Sequence, residues 1–351
     1  MKAVKCRGVD MLTPRERLTL TLKREAVDRP PCICPGGMMN MIVEEIMDIV
    51  KIPWPGAHGD PKLMAGLAVG IYEHGGFENY GAPFCMTVEA ESMGAPVFMG
   101  SKINEPRVTG YPINSVVEWQ NLNKINMEKG RTKVVIDAIK ILKNVNLDVP
   151  VIANLTGPVS LASSLMEPVV FYKELLKNPR GAQGIMEYVT DNLIAFGKAQ
   201  LDAGANVLTL SDPSATGEIL GPRMFRKFAL PYLNKIIDSL KKFADVGTIV
   251  HICGRLKSIY PELNDLTSDG ISFDSVTSVR QVAENVRGKA IMGNVSTFAL
   301  EKSTPEKIKN ISNHCMKSGV TILSPACGIG PRTSLRNIQA MVESAKEYRG
   351  K

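Results

Sequence analysis

The stretch Gly247-Thr248-Ile249-Val250-His251-Ile252-Cys253 combines a short apolar run with two polar side chains at its end. Short runs of β-branched and aliphatic residues are typical of parallel strands that are buried on both faces. Side chains alternate along a strand, so His251 and Cys253 point to one side and Ile252 to the other. The stretch therefore predicts a buried strand that ends in an imidazole and a thiol facing the same spot.

Seven further apolar runs occur along the chain, and longer amphipathic stretches separate them. This alternation is typical of parallel strands joined by helices, and eight such units predict an α/β protein with a closed (β/α)8 barrel, or TIM barrel. An open doubly wound sheet is the alternative. The seven other predicted strands are 31–36, 78–86, 149–155, 205–211, 270–274, 289–294 and 320–326.

Two connections between the predicted strands have recognisable patterns. Pro222 stands near the start of 222–243, and the apolar residues of this segment fall near one face of a helix, which predicts one continuous amphipathic helix. The segment 94–111 is rich in Gly and Pro, so we expect a hairpin or an extra loop there. The apolar residues of the predicted helix are Phe225, Phe228, Leu233, Ile236, Ile237 and Leu240.

Composition limits the class of protein. The chain has 351 residues, 44% of them hydrophobic, which is enough for a large core, and we expect residues 1–351 to form one barrel domain. Neither an apolar leader nor a run of about 18 apolar residues is present, which predicts a cytoplasmic protein without a membrane segment. The net charge of +7 is spread as single residues and pairs. Without a basic block, nucleic-acid binding is not expected.

Metal ligation is the strongest chemical signal in the sequence. His251 and Cys253 end the fifth predicted strand, and Cys327 follows the eighth, so barrel closure can bring all three to the same mouth. One imidazole and two thiolates favour zinc, and three protein ligands leave a fourth position open, as in catalytic sites. The alternative is that the cysteines are small buried hydrophobic residues and the histidine a hydrogen-bonded core residue.

Other residues at the predicted strand ends complete a polar mouth. Glu91 follows the second predicted strand and is a possible fourth ligand or gate of the metal. Four more polar residues could shape a substrate pocket or serve as helix caps and turn residues. Cys32 and Cys34 are the main competing thiols, but no histidine is near them, and we interpret them as core or wall residues. The four pocket candidates are Asn154, Asp212, Asp274 and Asn294.

The chain resembles the uroporphyrinogen decarboxylase superfamily, and within it the methylcobamide:coenzyme M methyltransferases, nearly from end to end. The His-x-Cys of 251–253 and the late Cys327 are the specific part, because the resemblance implies that these residues hold zinc. A decarboxylase of porphyrinogens would be expected to carry arginines after its first strand, whereas 35–40 contains neither Arg nor Lys. Further matching motifs are Leu12-Thr13-Pro14-Arg15-Glu16-Arg17, Val27-Asp28-Arg29-Pro30-Pro31, Pro53-Trp54-Pro55-Gly56-Ala57-His58, Glu89-Ala90-Glu91-Ser92-Met93-Gly94, Thr156-Gly157-Pro158, Ser211-Asp212-Pro213, Gly293-Asn294-Val295 and Cys327-Gly328-Ile329.

The resemblance implies transfer of a methyl group from a methylcobamide, a corrinoid carried on a separate corrinoid protein, to a thiol acceptor such as coenzyme M. Tetrahydrofolate as the acceptor and the reverse reaction, methylation of the corrinoid protein, are alternatives within the same class. A non-enzymatic barrel that docks a corrinoid protein and holds structural zinc is the alternative from another class. An open fourth position on the metal argues against this last one.

Overall fold

Parallel strands form the centre of the molecule, which a computed structural model describes over residues 11–35 and 40–349. Seven strands lie in one sheet, and an antiparallel pair lies apart from it. The strands of the sheet are buried along their whole length, as expected for parallel strands covered on both faces. The strands are β1 (Tyr80–Ala82), β2 (Val97–Phe98), β3 (Arg107–Val108), β4 (Val151–Thr156), β5 (Val207–Ser211), β6 (Gly247–Ile252), β7 (Gly270–Phe273), β8 (Ala290–Val295) and β9 (Ile322–Pro325).

The sheet follows chain order, β1-β4-β5-β6-β7-β8-β9, with every pair parallel. Helices connect successive strands, so the α/β barrel prediction is confirmed. The carboxyl ends of all seven strands lie at the same end of this sheet, which is where barrel enzymes place their sites.

The prediction of a full strand at 31–36 is wrong, because only an isolated bridge between Cys32 and Leu323 of β9 forms there. Pro30, Pro31 and Pro35 have no N–H to donate, and the Cys34 N–H donates to the Asn79 side chain at 2.9 Å. The segment nevertheless closes the barrel. Ile33 N–H donates to the Leu323 carbonyl at 3.1 Å, and Glu78 N–H donates to the Cys32 carbonyl at 2.9 Å.

Sixteen helices lie in the described part of the chain, together with 3-10 turns at Val116–Asn121, Lys241–Phe243 and Lys257–Ile259. No described helix is long and apolar enough to span a bilayer. The helices are α1 (Pro14–Leu22), α2 (Glu44–Val50), α3 (Trp54–Ala57), α4 (Pro61–Glu73), α5 (Val88–Ser92), α6 (Gly130–Leu142), α7 (Pro158–Ser164), α8 (Pro168–Lys177), α9 (Pro179–Ala203), α10 (Gly221–Phe228), α11 (Leu230–Leu240), α12 (Tyr260–Asn264), α13 (Val279–Asn285), α14 (Thr297–Lys302), α15 (Pro305–Lys317) and α16 (Leu335–Glu347).

The predicted continuous helix at 222–243 is divided in two. The chain bends at Ala229, with φ −115° and ψ −63°, and Pro231 occupies the first turn of α11, where its missing N–H costs no helical hydrogen bond. The predicted apolar face is confirmed, because all six of its residues are buried.

The predicted hairpin within 94–111 is confirmed. Strands β2 and β3 pair antiparallel, with Val97 opposite Val108. Ser101 and Asn104 pair across the tip, and the Lys102 ammonium bonds the Asp48 carboxylate of α2 at 2.7 Å. The tip of the hairpin is therefore bound to α2 by this ion pair.

Candidate metal centre

Three side chains converge at the carboxyl ends of β6 and β9. The His251 Nε2 lies 3.0 Å from the Cys253 Sγ, and this sulfur lies 3.6 Å from the Cys327 Sγ. One donor atom from each residue lies within 4.8 Å of the other two. In the described part of the chain this is the one group of three or more His, Cys, Asp or Glu side chains that could hold a metal ion. The structure thus brings together the residues that the sequence indicated.

A hydrogen bond fixes the imidazole of His251. The ring is buried, and its Nδ1 lies 3.0 Å from the Oγ of Ser272, the residue opposite it on β7. When the Nδ1–H donates to this hydroxyl, the Nε2 lone pair faces the two sulfur atoms. The ring is therefore oriented to ligate a metal through Nε2.

The two thiols of the centre ionise at different pH values. Hydrogen bonding from Cys253 and then from His251 lowers the pKa of Cys327, against the opposing effect of burial. The hydrogen bond to Cys327, burial, and the negative charges of Cys327 and Asp274 raise the pKa of Cys253. Two thiolates this close repel each other, so the metal-free pair retains a proton that a bound cation would displace.

Two carboxyl groups lie near the thiols. Asp274 follows β7, where its Oδ1 accepts from the Val276 N–H at 3.0 Å, and its charge acts on Cys253. Glu105 is half-buried in the β2–β3 hairpin. Burial, together with the charges of Cys85 and Cys327, raises the pKa of Glu105 to about 8. Sequence analysis missed Glu105, because no motif marks a single acid in a loop.

Glu91, the predicted gate, has a different partner. Its carboxylate accepts from the Arg131 Nε at 2.6 Å, and it lies outside the group of three donor residues. Arg131 also donates to the Cys85 Sγ at 3.3 Å and to the Thr87 Oγ1 at 2.9 Å. The sequence offered no indication of this buried arginine.

Asp212 and Asn294 shape the mouth through the backbone. Asp212 is fully buried and accepts from the N–H groups of Val159 and Ser160, which caps the start of α7. Burial raises the pKa of Asp212 to about 6, although these hydrogen bonds oppose the shift. Asn294 donates to the carbonyls of Asp274 and Thr277 at 3.0 and 2.9 Å, so it fixes the loop that carries Asp274.

Three further residues considered in the sequence analysis, Asn154, Cys32 and Cys34, are buried. Asn154 is buried on β4. Cys32 and Cys34 are fully buried, and burial raises both of their pKa values well above the usual thiol range. The negative charge of Cys327 adds to the raised pKa of Cys34, so the Cys34 thiol lies near the candidate metal centre. Residues 36–39, including the two methionines of the segment without cations, lie outside the described residues.

The donor set suits a soft divalent cation. An oriented imidazole nitrogen and two thiols, one of them acidified, match the ligands of catalytic zinc sites in number and type. Magnesium and calcium prefer oxygen ligands, which this group of three does not supply.

Known proteins resemble this chain over nearly its whole length. The family model described as uroporphyrinogen decarboxylase (URO-D) matches residues 13–348. The methylcobamide:CoM methyltransferase MtbA of Methanosarcina acetivorans is 33% identical over 96% of this chain and 98% of its own length. The methylcobamide:CoM methyltransferase MtaA of Methanosarcina barkeri is 33% identical over the same shares. A solved methyltransferase from Methanosarcina mazei superposes with a TM-score of 0.87 at 33% identity, covering 96% of this chain and 99% of that one.

Proposed function

Because this chain belongs to the uroporphyrinogen decarboxylase (URO-D) family, we propose that it transfers a methyl group from a methylated corrinoid on a separate corrinoid protein to the thiol of coenzyme M. The observation that carries the proposal is the group of His251, Cys253 and Cys327 at the barrel mouth. Relatives of the chain that are named methylcobamide:CoM methyltransferases match it over nearly its whole length.

We propose zinc as the ion that these three residues hold. Its positive charge would lower the pKa of a thiol placed at its open position, so that the thiol is present as thiolate at neutral pH. Ser272 would keep the Nε2 of His251 directed at the ion. Asn294 would hold the loop of Asp274 beside the thiols.

Methyl transfer then needs a thiolate in line with the carbon–cobalt bond of the corrinoid. A sulfur–carbon bond forms, the carbon–cobalt bond breaks, and its electron pair stays on the cobalt. The barrel mouth holds the acceptor in position and, once the corrinoid protein covers it, excludes water. Because 35–40 contains no Arg or Lys, we further propose that the chain does not decarboxylate porphyrinogens.

The direct test offers free methylcobalamin and coenzyme M to the purified, zinc-loaded protein and follows the cobalamin spectrum. Loss of the methylcobalamin spectrum together with formation of methyl-coenzyme M is expected. Tetrahydrofolate serves as the second acceptor in a parallel reaction. Turnover with tetrahydrofolate and none with coenzyme M would contradict the proposed acceptor.

Metal content tests the centre itself. We expect about one zinc per chain in the wild type, and loss of most of it in Cys253→Ala and Cys327→Ala. Cys315→Ala is the matched control, because this buried cysteine bonds Asn294 at 3.6 Å and is not among the three donor residues. Full zinc occupancy in both test variants would show that the metal binds elsewhere.

A further inference from the structure

A cavity of about 790 Å³ lies between α5, α6 and the loop that precedes α6. Helix α6 leads into the start of β4, so the N-terminus of α6 lies at the end of the barrel where the strands finish. The cavity is therefore on the same side of the barrel as the candidate metal centre. Its lining includes Val88, Glu91, Ser92, Lys124, Lys129 and Arg131.

The charge of this cavity is positive. Three of the residues above are cations, and the single lining carboxylate, Glu91, is paired with Arg131 at 2.6 Å. Lys124 and Lys129 are exposed, and neither forms an ion pair with any residue in 11–35 or 40–349. Two uncompensated positive charges thus stand at the rim.

The start of α6 adds backbone donors to the cavity. This helix has 13 residues, and its N-cap residue, Lys129, has no side-chain acceptor to cap the first turn. Gly130 has φ +66°, and a Cβ placed on it would meet no atom within 4 Å, so the first turn is open to a ligand. Uncapped N–H groups at the start of a helix attract anions.

Arg131 is a buried and oriented donor in the wall of the cavity. Its guanidinium donates to Glu91, Cys85 and Thr87. These bonds use three of its five N–H groups and fix the plane of the guanidinium. Two N–H groups are left for a ligand, and a fixed guanidinium suits the planar, bidentate recognition of an oxyanion.

His58, next in sequence to the cavity wall, is a buried polar side chain without a hydrogen-bond partner. The ring of His58 is 1% exposed, and neither of its nitrogens has a hydrogen bond within the described chain. His58 precedes Gly59, which lines the cavity. Burial and then the nearby charge of Arg131 lower the pKa of His58 to about 3, so the ring is neutral.

Cys85 contacts the wall of the cavity and lies near the same carboxyl group as Cys327. The Cys85 Sγ accepts a hydrogen bond from Arg131 at 3.3 Å. Besides burial, the charges of Cys85 and Cys327 both raise the pKa of Glu105. A ligand with an anionic group could therefore extend from the cavity towards the metal position.

We propose that this cavity binds the oxyanion of a small ligand, a sulfonate or a phosphate, through Lys124, Lys129, Arg131 and the first turn of α6. In the sulfonate case the ligand is coenzyme M, whose thiol lies at the metal centre, and this case rests on the proposed function. In the phosphate case the ligand is independent of the thiol acceptor.

Calorimetric titration of the full-length protein with inorganic phosphate and with ethanesulfonate tests the site. We expect Lys124→Gln/Lys129→Gln to weaken binding about tenfold, because two charge-assisted contacts are lost. Lys133→Gln/Lys140→Gln removes the same charge from within α6, from side chains that pair with Asp137, and should retain wild-type affinity. Wild-type protein that binds neither anion, or an equal loss in the two double variants, would overturn the proposal.

Thiol ligands then separate the two sources of the anion. If the anion is the sulfonate, Lys124→Gln/Lys129→Gln weakens coenzyme M but leaves 2-mercaptoethanol, which has no sulfonate, unchanged. If it is a separate phosphate, phosphate binds equally well with coenzyme M present. These titrations need no corrinoid, so failed methyl transfer with intact anion binding would refute the proposed function alone.

Discussion

His251 uses its two ring nitrogens for different tasks. Nε2 faces the sulfur atoms of the candidate metal centre, while Nδ1 contacts the Ser272 hydroxyl on the next strand. The sequence identified His251 as a candidate ligand but not its partner, because residues on neighbouring strands become adjacent only through the register of the sheet. The register places His251 directly opposite Ser272.

Removal of this partner should weaken metal binding. We expect Ser272→Ala to lower zinc affinity about 10- to 100-fold, because the ring loses the bond that orients it. Ser272→Thr keeps the hydroxyl and should restore most of the affinity. Ser239→Ala, which removes a bond from a serine to a backbone carbonyl on α11, is the control. Zinc competition with a chromophoric chelator measures all four proteins, and wild-type affinity in Ser272→Ala would contradict the role.

Glu105 should make the stability of the metal-free protein depend on pH. Its folded-state pKa of about 8 lies above the ordinary value of 4.5 because burial, Cys85 and Cys327 favour the neutral acid. This contribution is fully present below pH 4.5 and is lost as the pH rises to about 8. In thermal melts of the metal-free proteins, we expect Glu105→Gln to lose less stability over this range than the wild type. Identical pH profiles would show that Glu105 does not titrate in this way.

At the scale of elements, the end of β5 positions the connection that follows β4. Asp212, just after β5, caps α7, which follows β4. Gly157 lies between them, and its N–H donates to the Ser211 carbonyl at 2.7 Å. The cap forms because this position has no side chain.

Gly157→Ala should therefore destabilise the protein. An added Cβ would lie 2.2 Å from the Cβ of Asp212, so the capping aspartate has to shift. We expect a loss of about 1–3 kcal/mol in the free energy of unfolding, as is typical of overpacked cores. Gly56→Ala is the matched control, because the nearest atoms to its added Cβ lie at 3.6 Å. Urea denaturation compares the variants, and equal midpoints would contradict the close approach.

At the scale of the whole molecule, buried ion pairs close the barrel where backbone pairing is incomplete. Glu78 accepts from both terminal nitrogens of Arg29 and from the Cys32 N–H at 2.9 Å. Arg17 is fully buried and pairs with Asp28 at 2.7 Å. These contacts hold the proline-rich segment 30–35 between β1 and β9.

Loss of Glu78 should open this closure. Glu78→Ala leaves the buried Arg29 without its carboxylate, and breaking a buried pair costs about 3–5 kcal/mol. Glu73→Ala changes an exposed glutamate at the end of α4 and should alter the free energy of unfolding little. Chemical denaturation measures both variants. A wild-type free energy of unfolding in Glu78→Ala would show that the backbone bridge at Cys32 is sufficient for closure.

Local sequence determined the elements that depend on short-range patterns. The apolar runs predicted all seven sheet strands, six of them to within two residues at each end, whereas only Tyr80–Ala82 of the predicted 78–86 is a strand. Side-chain alternation placed His251 and Cys253 on one side. The Gly- and Pro-rich composition of 94–111 predicted its hairpin. Where prolines occur, the pattern overstated regular structure, as at 31–36 and at the bend that precedes Pro231.

The sequence by itself determined the barrel and the candidate metal-ligating residue types, because strand periodicity and ligand chemistry are local properties of the chain. Tertiary structure alone decided the partners of those residues. The register of the sheet places Ser272 beside His251. Arg131 forms an ion pair with Glu91, the residue predicted as a fourth ligand or gate. The β2–β3 hairpin places Glu105 near Cys327. Contacts between residues far apart in sequence depend on how the elements pack, and the periodicity of a single element carries no information about that packing.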